Sequence, residues 1–150
     1  MSETLQKNIL LTKNFFSQFQ SMEARFCALI DMGKKLSPFA EAQKTQKNLV
    51  SGCQSHLYLS AELIDGKVFF NASCEALISA GLAALLISVY NGESPDTILQ
   101  SSLDFLVDLN IQASLSHNRS NGLTSIHLRM KQEALQCLLQ KNKRRKLKSS

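Results

Sequence analysis

Leu57-Tyr58-Leu59-Ser60-Ala61-Glu62-Leu63-Ile64-Asp65-Gly66-Lys67-Val68-Phe69-Phe70-Asn71-Ala72 is the stretch on which the fold turns. Its period is two. Leu57, Leu59, Ala61 and Leu63 point one way, and His56, Tyr58, Ser60 and Glu62 point the other, as in a strand with one buried face. Asp65-Gly66 supplies the two residues of a tight hairpin turn. The return strand, Lys67 to about Ala72, puts Val68, Phe70 and Ala72 on one side. A short strand over about Asn48 to Ser51 would make a third. A sheet of two or three antiparallel strands is too small to stand without helices packed on it.

Those helices lie on both sides of the hairpin. Thr4 to about Phe19 carries Leu5, Ile9, Phe16 and Phe19 near helical spacing. Ser21 is placed to cap a second helix with Met22, Phe26, Leu29, Ile30 and Gly33 on one face, Cys27 packing beside that stripe. Pro38 requires that helix to stop by Leu36 or Ser37. After the hairpin, Ser73 is read as the cap of a very apolar third helix running to Asn91-Gly92. Ser94-Pro95-Asp96 opens another helix, and Leu103 to Leu109 is a short apolar segment. Ser116 caps the last helix, where Gly122 weakens the helix by about 1 kcal/mol relative to alanine and so implies a contact that needs it. His117 and His127 are read as ordinary surface or boundary residues of that helix. The class is therefore α+β: a helical hairpin, a small antiparallel sheet, then several helices.

The chain has 150 residues, 44% of them hydrophobic and 19% charged, which suits one ordinary domain with its own core. No apolar run reaches the roughly 18 residues of a membrane span. Met1 to Leu5 lacks the basic and apolar regions of a secretory signal, so the expected compartment is the cytoplasm. Lys141, Lys143, Arg144, Arg145, Lys146 and Lys148 stand without an acid among the last ten residues; removing those six from the net +5 leaves a body of about −1. The division is a single domain over residues 1–140 and a basic, disordered tail over 141–150. A tail of this kind supports salt-dependent, non-specific nucleic-acid binding, but the body shows no basic face or aromatic stacking motif. Nucleic acid is thus not the expected partner.

The four cysteines, Cys27, Cys53, Cys74 and Cys137, are 26, 21 and 63 residues apart and form no CxxC or Cys/His pattern. Cys53 differs from the others in following Gly52 where a polar loop becomes a strand. One reading is a small buried residue at a strand entrance; the other is a sulfur nucleophile shielded by a tight bend. No Lys, Arg or His lies within two residues of it, so its sequence neighbours supply no activation.

Val50-Ser51-Gly52-Cys53-Gln54-Ser55 resembles the signature of the SufE family of sulfur-acceptor proteins in iron–sulfur cluster assembly. Three further blocks agree in order: Arg25 to Leu36, Ala76 to Tyr90 with Ser94-Pro95, and Leu115 to Leu123. Together they span roughly residues 10 to 135. The resemblance implies a two-layer SufE/NifU-like fold. It implies that Cys53 accepts persulfide sulfur from a SufS-like, pyridoxal-phosphate-dependent cysteine desulfurase, stimulating it, and hands the sulfur to a SufB-like iron–sulfur scaffold. The acceptor would hold no cofactor and no metal of its own, and would be a monomer or weak homodimer rather than a stand-alone enzyme. Gly52, Gln54, Glu75 and Arg119 fall at positions that resemblance puts near the cysteine loop or the partner surface. Two departures stand out: Cys74-Glu75 replaces the family's Ser-Asp, and Leu36-Ser37-Pro38 shifts its Leu-Pro by one residue. Cys74 is then either a small residue in a helix's first turn, its pKa lowered by the dipole, or a second thiol able to share sulfur with Cys53. An iron–sulfur scaffold is the alternative, and it would need three or so converging ligands.

Overall fold

The computed structural model describes residues 2–109, 111 and 115–149. Helices α1 (Glu3–Ser17) and α2 (Met22–Lys34) precede a two-stranded antiparallel sheet of β1 (Leu57–Ile64) and β2 (Lys67–Cys74). Then follow α3 (Leu77–Tyr90), α4 (Pro95–Gln100), a 3-10 turn at Asp104–Leu109, and the long α5 (His117–Ser149). The architecture is α+β, as the alternating hairpin and its flanking helices require.

Local chemistry explains most element ends. The Ser2 and Ser21 side chains accept hydrogen bonds from the Leu5 and Ala24 amides at 2.9 and 3.1 Å, capping α1 and α2. Asp65 and Gly66 both take positive φ (52° and 78°), the geometry of a two-residue hairpin turn. In the sheet Leu57 pairs with Cys74, Leu59 with Ala72, and Leu63 with Val68. Paired residues share a face, and Leu57, Leu59, Val68, Phe70 and Ala72 are buried on it. The third strand is reduced to a bridge between Leu49 and Tyr58.

Helix α3 is the centre. Ala80 to Ile87, Val89 and Tyr90 are all buried, as expected of a helix apolar all round. It touches α1, α2, α5 and β2. Its closest neighbour is α2, through a glycine crossing: a Cβ on Gly81 would run into the Leu29 carbonyl, and one on Gly33 would lie 2.8 Å from the Gly81 nitrogen.

Three local expectations are corrected. Ser73 is not a cap; it lies in β2 opposite Tyr58, and α3 begins at Leu77 after Ala76, with no side-chain cap. Strand pairing has taken the residues that a Ser-x-Glu pattern would have given to a helix. Cys27 is exposed rather than packed. His127 is buried, its Nε2 3.2 Å from the Tyr90 hydroxyl and 3.3 Å from Ser101 Oγ. Residues 141–149 continue α5 to Ser149, since residues 131–149 hold neither Gly nor Pro and many strong helix formers. Lys141, Arg144, Arg145 and Lys148 there line a depression with Asp65 and Gly66 of the hairpin turn.

Candidate functional site

Between a 3-10 turn at Gln46–Asn48 and the start of β1 the chain makes one loop, closed by the Val50 amide donating to the Leu57 carbonyl at 2.8 Å. At its bend Gly52 has φ 91°, a region that side chains rarely enter. A Cβ at Gly52 would also collide with Ser125 Oγ on α5. The bend leaves Cys53 half-buried, its thiol aimed at the Gly122 carbonyl at 3.9 Å. Gly122 is the helix glycine that needed a contact to justify it. Its open face is where the Cys53 sulfur rests.

The loop lies along α5 in the opposite sense to the helix. Arg129 donates to the carbonyls of Lys47 and, at 2.9 Å, Leu49. Gly52 then meets Ser125, and Cys53 meets Gly122. The steps of four and three residues keep these contacts on one helical face. Arg129 is itself oriented by Glu133, its Nε 2.9 Å from the carboxylate.

One helical turn before Gly122, Arg119 reaches a cavity of about 450 Å³ that Cys53 and Gln54 also line. Leu77 and Leu82 of α3 form its apolar wall, and Leu77 is half exposed at the surface. The cavity therefore brings together Cys53, Gln54 and Arg119, with Gly52 behind them. Glu75 is exposed on the β2–α3 connection and is not part of the lining; its charge is felt at Lys44, whose main partner is Glu41 at 2.8 Å.

Cys74 ends β2 on the same side as Leu57, half-buried. Burial pushes the Cys53 thiol above its ordinary range, and the nearby Cys74 adds to the shift. Burial raises Cys74 as well, partly offset by the Ala76 backbone N–H. The lowering expected from a helix dipole is absent, because Cys74 stands at a strand end. Both thiols are thus held protonated at neutral pH, the resting state of a shielded rather than a pre-activated nucleophile. Cys137 is buried on α5. The side chain of His117 lies outside the described residues.

Among the described residues no three His, Cys, Asp or Glu side chains come together in a way that could hold a metal, so the donors a bound cluster would need do not converge there. Arg129 and Ser125 carried no signal in the sequence. They act on Lys47, Leu49 and Gly52 across more than seventy residues, and nothing in their own neighbourhood marks them.

The sequence model of the SufE family, described as an Fe-S metabolism associated domain, matches residues 11–134. A SufE-like protein of Synechocystis sp. is 36% identical over 132 residues, 88% of this chain and 83% of its own. The Arabidopsis thaliana protein named SufE-like protein 1, chloroplastic/mitochondrial, is 35% identical over 121 residues, 80% of this chain; the match spans only 33% of that longer protein. Among solved structures, the solution structure of a hypothetical protein from Thermus thermophilus superposes with a TM-score of 0.71 at 22% identity, covering 91% of this chain and 96% of its own. That likeness is one of fold.

Proposed function

The chain belongs to the SufE family, with a role in iron–sulfur metabolism, and from that premise we propose that Cys53 is a persulfide acceptor serving a cysteine desulfurase. The observation that carries the reading is the position of this thiol. It sits half-buried on a glycine bend, at the edge of a cavity that it shares with Gln54 and Arg119.

The chemistry is thiol exchange. The Cys53 thiolate attacks the outer sulfur of the donor's cysteine persulfide, the S–S bond breaks, and the donor cysteine leaves as thiolate. Cys53 then carries the persulfide, and a nucleophile on the iron–sulfur scaffold takes its outer sulfur in a second exchange of the same kind. Pyridoxal phosphate belongs to the desulfurase and acts there. This chain contributes shelter and presentation. Its half-buried thiol is a poor nucleophile while the loop stays on α5, and docking that lifts the loop exposes Cys53 to water, favouring the thiolate. Transfer of the outer sulfur to Cys53 would stimulate the desulfurase by clearing its persulfide.

The protein works in the cytoplasm in this reading, as a monomer or weak homodimer. No helix among the described residues is long and apolar enough to cross a membrane. The test is a desulfurase reaction with cysteine, run with and without this protein, followed by peptide mass measurement. One added sulfur on Cys53, and none on a folded Cys53→Ser variant, is the expected result. Full sulfur acceptance by Cys53→Ser would overturn the proposal.

A further inference from the structure

Among the described residues, the Cys53 loop is tied to β1 by the Val50 amide on the Leu57 carbonyl, and to α5 by hydrogen bonds that come mainly from one residue. Past Val50 the loop rests on α5 through the long Cys53 contact to Gly122 and the packing of Gly52 on Ser125. Before Val50, Arg129 directs two guanidinium nitrogens to the carbonyls of Lys47 and Leu49 and a third to Glu133. Its side chain is 17% exposed and that of Glu133 25%. A planar guanidinium offers its donors in a fixed fork, so these bonds set the distance and the angle at which the loop meets the helix. Hydrogen bonds to a charged group are also the strong class.

We propose that Arg129 is the positioning residue of the Cys53 loop, locking it to α5 so that the sulfur site stays covered until a partner lifts the loop. The lock lies two helical turns from Gly122, beyond the cavity that a sulfur donor would enter. It acts on Cys53 through the backbone of residues 47–53 and touches no reacting atom. Lifting the loop requires the two carbonyls to leave the guanidinium; Glu133 keeps Arg129 oriented, so the loop can return to the same place. Shielding then depends on Arg129, while the reaction depends on Cys53. The role in sulfur protection rests on the acceptor reading above; the mechanical role does not.

Two readouts separate these. The first is the rate at which iodoacetamide alkylates Cys53 in the full chain at fixed pH, resolved by peptide mass, with buried Cys137 as an internal gauge of global opening. Arg129→Gln is expected to raise the Cys53 rate on the order of tenfold, the effect of losing about one charge-assisted bond's worth of closure, with Cys137 unchanged. Glu133→Gln, which leaves the guanidinium in place but unoriented, should move Cys53 the same way by less. A Cys53 rate within about twofold of the original in a folded Arg129→Gln protein would overturn the proposal; so would Cys53 and Cys137 rising together. If Arg129→Gln does not fold, Arg129→Lys, which keeps the charge but loses the fork, is read by the same criteria. The second readout is the lifetime of sulfur on Cys53 in a small-thiol reductant after loading by a desulfurase, expected to shorten in Arg129→Gln. If the unsubstituted protein takes up no sulfur, the acceptor reading fails while the alkylation result stands.

Discussion

Glycine brings two backbones together twice in this molecule, with different consequences. At the α2–α3 crossing, buried Gly81 lies against the Leu29 carbonyl and half-buried Gly33 lies against Gly81. At the loop–α5 contact, Gly52 lies against Ser125 and Gly122 against Cys53, beside a cavity. The first contact is backbone on backbone between two long elements, and neither can move without taking the core along. The second sets a short loop against a helix at the edge of the core, held by Arg129 rather than by packing of two long elements. Close approach serves stability in one place and concealment of a thiol in the other.

The sharpest way to break this distinction is Gly81→Ala. The added methyl meets a carbonyl rather than a flexible side chain, so α2 must move. A loss of about 3 kcal/mol, at the upper end of overpacking costs, is expected in denaturant unfolding, with the Cys53 alkylation rate of the folded protein unchanged. A rise in Cys53 alkylation would mean that the crossing and the loop are coupled after all.

A pH titration probes the same division within α5, whose loop side carries Gly122, Ser125 and Arg129 while His127 faces Tyr90 of α3. Burial, followed by the charge of Lys131, lowers the His127 pKa from 6.5 to about 4. Between those values the unfolded chain binds a proton that the folded chain refuses. Stability is therefore intact above about 6.5, falls as the pH drops, and has lost its full share below about 4. The loss should be about 2 kcal/mol, less than the full shift implies because some solvent reaches the ring. Unfolding of a His127→Leu variant should lack that part of the acid dependence, and an identical acid profile in the variant would remove His127 as its source.

The two contacts were unequally legible in the sequence. Alternation from Leu57 to Leu63 and the Asp65-Gly66 turn announced the sheet, because strand period and turn chemistry are local. The burial of α3 followed from its apolar composition. Its start did not: Ser73 and Glu75 carry a helix-cap pattern, but pairing of Leu57 with Cys74 extended β2 through it, and that pairing is a tertiary fact. Cys27 and His127 went the other way from their expected environments for the same reason, since one helical residue of rotation decides which side of a helix meets the core. Cys53 stood out by resemblance, and Gly122 by being a glycine inside a helix. Arg129 did not stand out at all. An arginine on a charged helix looks like any other until its partner carbonyls, some eighty residues away in the chain, are brought to it.

Gly52→Ala is the smaller counterpart of Gly81→Ala and completes the comparison. At φ 91° an alanine is strained, by about 1–2 kcal/mol for the left-handed region, and its methyl would push on Ser125 Oγ. The serine side chain can rotate, and the loop can lift, so most of that strain is relieved by leaving α5 rather than by disturbing the core. Global unfolding should therefore shift by about 1 kcal/mol or less, while Cys53 alkylation rises and Cys137 alkylation does not. The opposite pattern, a large stability loss with Cys53 still covered, would make the loop a part of the core. It would also undo the argument that shielding and stability are held by separate contacts, because Gly52 would then be doing at the surface what Gly81 does inside.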